Sequence, residues 1–151
     1  MGVTGQTTED SLATMYAMIR AADDLPQYVA LKVYSPNDGA PTKALTDAVW
    51  GRILAACSWL KSRGVVPLLF TSPPVNDWTS GQHAFNEAQN ARAAAFVASC
   101  PWARLVDMAA AVSDPANRRQ IMPAYSYGDG THYLDAGHQA IADAAVAVLT
   151  R

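Results

Sequence analysis

Apolar positions along the chain switch between two spacings. Leu12, Met15, Tyr16 and Ile19 recur three and four residues apart, which places them on one face of a helix starting near Thr8–Ser11. Asp and Ser at that start are capping types, and Asp23-Asp24-Leu25-Pro26 stops the helix by composition. Tyr28 to Tyr34 is mostly apolar and rich in strand formers, so it reads as a strand that ends at Ser35-Pro-Asn-Asp-Gly39. Pro41 opens a second helix, with Leu45, Val49, Ile53, Ala56 and Leu60 in one stripe and Gly64 at the C-cap position. Val65 to Thr71 reads as a buried strand that tolerates Pro67 only near its start. Ser72-Pro-Pro-Val-Asn-Asp is a loop. Gln82 to Ala98 is an alanine-rich helix anchored by Phe85 and Phe96, and Ala103 to Met108 is a short third strand. Residues 109–136 are turn-rich and take no assignment. A last helix runs from about Gly137 to Leu149, with Ile141, Ala145, Val148 and Leu149 facing inward.

Strands separated by amphipathic helices predict βα units and a parallel sheet, in one domain spanning residues 1–151. Three strands are few, since such sheets usually have about five or six. The composition is 50% hydrophobic and 16% charged, as in a folded globular chain. A net charge of −2 with no Lys/Arg cluster gives nucleic acid no electrostatic footing. No apolar run approaches the ~20 residues of a membrane-spanning helix. Met1 to Asp10 has neither the basic nor the apolar region of a signal peptide, and the compartment stays open. Two cysteines, Cys57 and Cys100, match no metal spacing and no disulfide scaffold.

Three short segments could carry chemistry. In Asp129-Gly-Thr-His132, a carboxylate three residues ahead of a histidine can reach back to the Nδ1–H and leave Nε2 free as a general base. The plainer reading is a capping Asp beside a surface His. His83 and His138 lack that spacing and read as solvated or capping residues. Ser35-Pro36-Asn37-Asp38 follows a strand, where open α/β sheets bind ligands, and the Asn37 amide could donate to an oxyanion. Taken alone it is a turn. Val3-Thr4-Gly5-Gln6-Thr7-Thr8 leads into the first helix, and Gly5 leaves a backbone N–H free to meet negative charge.

In this order, and on these elements, the motifs resemble the SGNH hydrolases, also called the GDSL esterase/lipase family, over nearly the whole chain. The resemblance implies a flavodoxin-like three-layer α/β/α fold around a parallel sheet. It also implies ester hydrolysis by a Ser-His-Asp triad that needs no metal or organic cofactor. Asp129 and His132 resemble the pair that completes the triad. Gly5 and Asn37 resemble the backbone and side-chain donors of the oxyanion hole.

The family's first block, Gly-Asp-Ser-Leu, lies on a strand upstream of the glycine block. Gly5 already opens this sequence, so the chain is expected to be a C-terminal portion without that strand or its serine, and weak or inactive alone. Strand 28–34 should then be an open edge, available to the absent N-terminal segment or to a second copy in a homodimer, with Lys32 blunting it. Ser35 stands where a glycine usually opens the third block. Glu9-Asp10-Ser11-Leu12 is a decoy: it follows the glycine block and no strand precedes it, so Ser11 reads as a helix-start residue. The expected ligand is a small-molecule or carbohydrate ester, with Trp78, Tyr125, Tyr127 and Tyr133 in the surrounding loops. The alternative is a non-catalytic carbohydrate-binding or interaction domain on the same scaffold. A nucleotide-binding reading lacks a Gly-rich phosphate loop after any strand.

Overall fold

The computed structural model describes residues 5–150. Helix α1 (Thr8–Ala21) starts at a capping box in which Thr7 Oγ1 accepts from the Asp10 N–H and Asp10 accepts from the Thr7 N–H. Strand β1 (Tyr28–Lys32) leads through a 3-10 turn at Pro36–Asp38 to α2 (Lys43–Lys61), capped by Thr42. Strand β2 (Val66–Phe70), α3 (Ser80–Ser99) and β3 (Arg104–Val106) follow. The segment left unassigned from sequence forms α4 (Met108–Val112) and a small antiparallel pair, β4 (Ser113–Asp114) with β5 (Asn117–Ile121). A 3-10 turn at Pro123–Tyr125 and α5 (Asp135–Leu149) complete the chain.

The sheet order is β1-β2-β3, with both pairs parallel, flanked by helices. Pro67 is paired with Val29 of β1, whereas pairing with β3 begins only at Leu68, so its missing N–H breaks no bond to β3. As the open-edge expectation requires, β1 has a neighbour only on its β2 side among the described residues. Leu12 and Ile19 of α1, Leu31 and Val33 from β1 and just beyond it, Val49, Ile53, Ala56 and Leu60 of α2, and Leu69 of β2 form one buried cluster. Cys57 lies within it, and burial pushes its thiol up to about 12, which leaves it unreactive.

Four sequence expectations need correction. Met108 starts α4 rather than ending β3, because Asp107 accepts from the Ala110 N–H and caps a new helix there. Leu149 is exposed, and α5 buries only Gly137 fully. Phe85 is also exposed: α3 turns His83, Asn86, Gln89 and Ala93 inward instead. His83 is therefore neither solvated nor a cap, since it is buried against Trp78 and Thr79 caps the helix. The inward polar face of α3 has partners that hydrophobic periodicity cannot reveal. Asn86 Nδ2 donates to the Ser72 and Pro73 carbonyls, Asn90 Nδ2 to the Ser72 carbonyl, and Gln89 Nε2 to the Val33 carbonyl. The helix thereby holds the chain where it leaves β1 and β2.

Candidate active site

Three loops meet at the carboxyl ends of the strands. Ser35 to Asn37 follows β1, Pro73 to Val75 follows β2, and Tyr127 to His138 leads into α5; together they line a cleft of about 520 Å³. This is where an open α/β sheet places its ligands.

The sharpest polar contact in the cleft is local. Asp129 Oδ2 lies 2.7 Å from His132 Nδ1, while its Oδ1 accepts from the His132 and Thr131 N–H groups at 2.8 and 2.9 Å. These backbone donors, then the imidazole, hold the Asp129 carboxyl at about 2, well below its ordinary value. An anionic carboxylate at Nδ1 selects the tautomer that carries its proton there and leaves Nε2 as the acceptor. The His132 side chain is 71% exposed, so the ring is open to a reactant.

The 128–132 loop is anchored at Gly130, whose φ is +74°. A Cβ there would stand 2.8 Å from Asn76 Cβ. Asn76 donates its backbone N–H to the Gly130 carbonyl and accepts the Ile121 N–H on Oδ1, tying the loops after β2 and β5 together. Gly130→Ala combines a left-handed backbone cost of about 1–2 kcal/mol with this steric conflict. It is expected to lower stability in urea by more than Gly128→Ala, whose Cβ would meet nothing within 4 Å at φ +89°.

The other expected site residues come together less completely. Asn37 lines the cleft, and its Nδ2 donates to the Gln6 carbonyl at 3.1 Å, which leaves its second amide hydrogen available. Gly5 has φ +80° and is exposed; it is not among the lining residues, although Gln6 beside it is bonded to Asn37. Val3 and Thr4 of the same loop lie outside the described residues. Ser35 is the one serine lining the cleft, and its hydroxyl accepts from the Asn37 N–H and donates to the Gln6 carbonyl. Ser11 does not line this cleft; its hydroxyl donates to the Thr7 carbonyl one helical turn back. Of the loop aromatics, Tyr127 and Tyr133 line the cleft, whereas Trp78 packs edge-on against Tyr34 and His83.

Two cleft residues were missed or undervalued in the sequence. His138, in the first turn of α5, lines the cleft with its ring edge-on to Tyr133 at 5.8 Å. Lys32, read as an edge-blunting residue, lines it from the end of β1. The only available signal for Lys32 was a charge inside an otherwise apolar strand. Among the described residues no cluster of His, Cys, Asp and Glu is arranged to hold a metal, and no helix is long and apolar enough to cross a membrane.

No family model matches the sequence, and no curated protein matches it. Solved structures do match. A proposed acylhydrolase from Bacteroides fragilis superposes with a TM-score of 0.75 at 21% identity, over 97% of this chain and 71% of that one. A GDSL-like lipase from Bacteroides thetaiotaomicron gives 0.73 at 19% identity, over 99% and 72%. A member of the lipolytic G-D-S-L family from Veillonella parvula gives 0.73 at 14% identity, over 97% and 76%. Over nearly its whole length, then, this chain has the fold of the GDSL-type lipolytic proteins.

Proposed function

We propose that the cleft is the acyl-ester-cleaving site of an SGNH-type hydrolase. The observation that carries this reading is the 2.7 Å contact between Asp129 Oδ2 and His132 Nδ1 at the open end of a parallel sheet. A carbohydrate-binding domain would have no need to orient an imidazole by an anionic carboxylate, so the pair favours catalysis over the binding alternative.

In this reading a serine hydroxyl attacks the ester carbonyl while His132 Nε2 takes its proton. Asp129 stabilises the imidazolium. The free amide hydrogen of Asn37 donates to the tetrahedral oxyanion, and the Gly5 N–H is assigned the same role. Nε2 then returns the proton to the departing alcohol, and water releases the acid by the same steps. The family resemblance places its serine on a strand ahead of the glycine block, so we assign the nucleophile to a strand outside the described residues; Ser35, the serine that lines the cleft, has its hydroxyl engaged with Gln6 and Asn37. The open edge of β1 receives that strand, and its backbone N–H and C=O groups supply the docking contacts.

Intact-mass spectrometry after a fluorophosphonate probe tests both parts, with heat-denatured protein as control. The expected result is no adduct on these 151 residues alone and one adduct on folded protein once the serine-bearing strand is joined to them. An adduct on a serine within these residues overturns the supplied-strand assignment. No adduct on the joined protein overturns the hydrolase reading.

A further inference from the structure

Lys32 stands out among the charged groups of the cleft. Lysine is almost never withdrawn from water without a partner, because a partly desolvated ammonium with unused donors is costly. Lys32 is half-buried at the end of β1, where its backbone is paired with β2, yet its ammonium makes no hydrogen bond or ion pair among the described residues. The carboxylate that acts on it most is Asp38, and that group is already engaged. Asp38 accepts from the Thr8 N–H and hydroxyl and from the Ser35 N–H, so it offsets charge without satisfying the lysine's donors. Asp129 is committed to His132 and to two backbone N–H groups.

The surroundings of Lys32 are two-sided. It borders the main cleft, and it also borders a small cavity of about 110 Å³ where Leu12, Met15, Ala30 and Ile53 stand beside the hydroxyl side chains of Thr8, Ser11 and Ser35. A lysine in such a place lays its methylenes along apolar surface and keeps its ammonium in the polar space. Desolvation lowers the amine to about 8, with Asp38 opposing, so it is still mostly protonated at pH 7.

We propose that Lys32 is the anion-recognising residue of the cleft and that the ester it takes carries a carboxylate of its own, as in a half-ester of a dicarboxylic acid. This rests on the hydrolase reading for the word ester, but the contact itself does not require the serine. A carboxylate on Lys32 forms charge-assisted hydrogen bonds, the strong kind, with donors that have no partner among the described residues.

Monomethyl succinate and dimethyl succinate are the probes, differing in one negative charge. Binding is followed at pH 7 by NMR of the His132 imidazole and the Lys32 side chain in the 151-residue chain, so no turnover is needed. Monomethyl succinate is expected to bind saturably and at least fivefold more tightly than the diester. Lys32→Met is expected to erase that preference and Lys32→Arg to retain it. Lys43→Met, at a lysine paired with Asp47 on the surface, is expected to leave it unchanged. Should Lys32→Met fold poorly, Lys32→Gln serves instead. Equal binding of the two probes, or a preference that survives the loss of Lys32, overturns the proposal. The fluorophosphonate result is independent of all these outcomes, so failure of the reaction and failure of the anion contact are told apart.

Discussion

Under the proposed hydrolase reading, in the chain joined to a serine-bearing strand, His132→Ala is expected to lower kcat/KM for p-nitrophenyl acetate by about 10²–10⁴-fold, the range for a positioned general base. This corresponds to about 3–5.5 kcal/mol of transition-state stabilisation. The ring is exposed and its nearest partners lie within its own loop, so the variant should fold with an unchanged thermal midpoint. A rate equal to that of the parent would mean that the hydrolysis observed is background. Asp129→Asn separates orientation from presence: the amide can turn its NH₂ towards Nδ1 and stabilise the wrong tautomer, with a loss of order 10⁴-fold. Asp129 is held at about 2 in the folded protein and therefore stays ionised across the working range. Its depressed folded value stabilises the loop above the unfolded carboxylate value of about 3.9, and that contribution is lost as pH falls from there towards about 2. A ¹³C titration of the Asp129 carboxyl, with a midpoint near 2, checks the sign directly.

Leu69→Ala is expected to be the most destabilising of the simple core truncations, costing about 2–5 kcal/mol. Leu69 is fully buried in β2, the one strand of the parallel sheet with neighbours on both sides among the described residues, and it packs in the cluster that joins α1, α2 and β1. Against a typical total of about 5–15 kcal/mol, such a loss shifts most of the unfolding curve. Urea denaturation should show a lower midpoint with an unchanged slope, the signature of altered stability without altered compactness of either state. Leu149→Ala is the control: that side chain is 42% exposed, and the change should stay within about 0.5 kcal/mol. If the two variants unfold alike, the packing described for β2 is wrong.

What the sequence alone determined is what lies within one turn of helix or one tight loop. Leu12 and Ile19 stripe α1, Val49, Ile53, Ala56 and Leu60 stripe α2, and both stripes are buried. The Asp129–His132 contact was legible for the same reason, since a three-residue offset on a turn limits where the carboxylate can go. The parallel sheet followed from alternating elements, and the open edge of β1 from the family resemblance of its motifs, whereas the order β1-β2-β3 came only with the structure. Tertiary structure decided the rest. The polar face of α3 turns inward only because carbonyls at the ends of β1 and β2 await donors, and Gln89 and Val33 are 56 residues apart. Asn37 is oriented by Gln6 across 31 residues, and Gly130 is pinned by Asn76 from a different loop. Lys32 could be read as an edge lysine until the loops around it showed Asp38 already satisfied by Thr8 and Ser35. Local geometry sets contacts a few residues apart because few dihedrals separate the groups. Contacts across tens of residues exist only once the core has packed, and in this chain those contacts assemble the cleft.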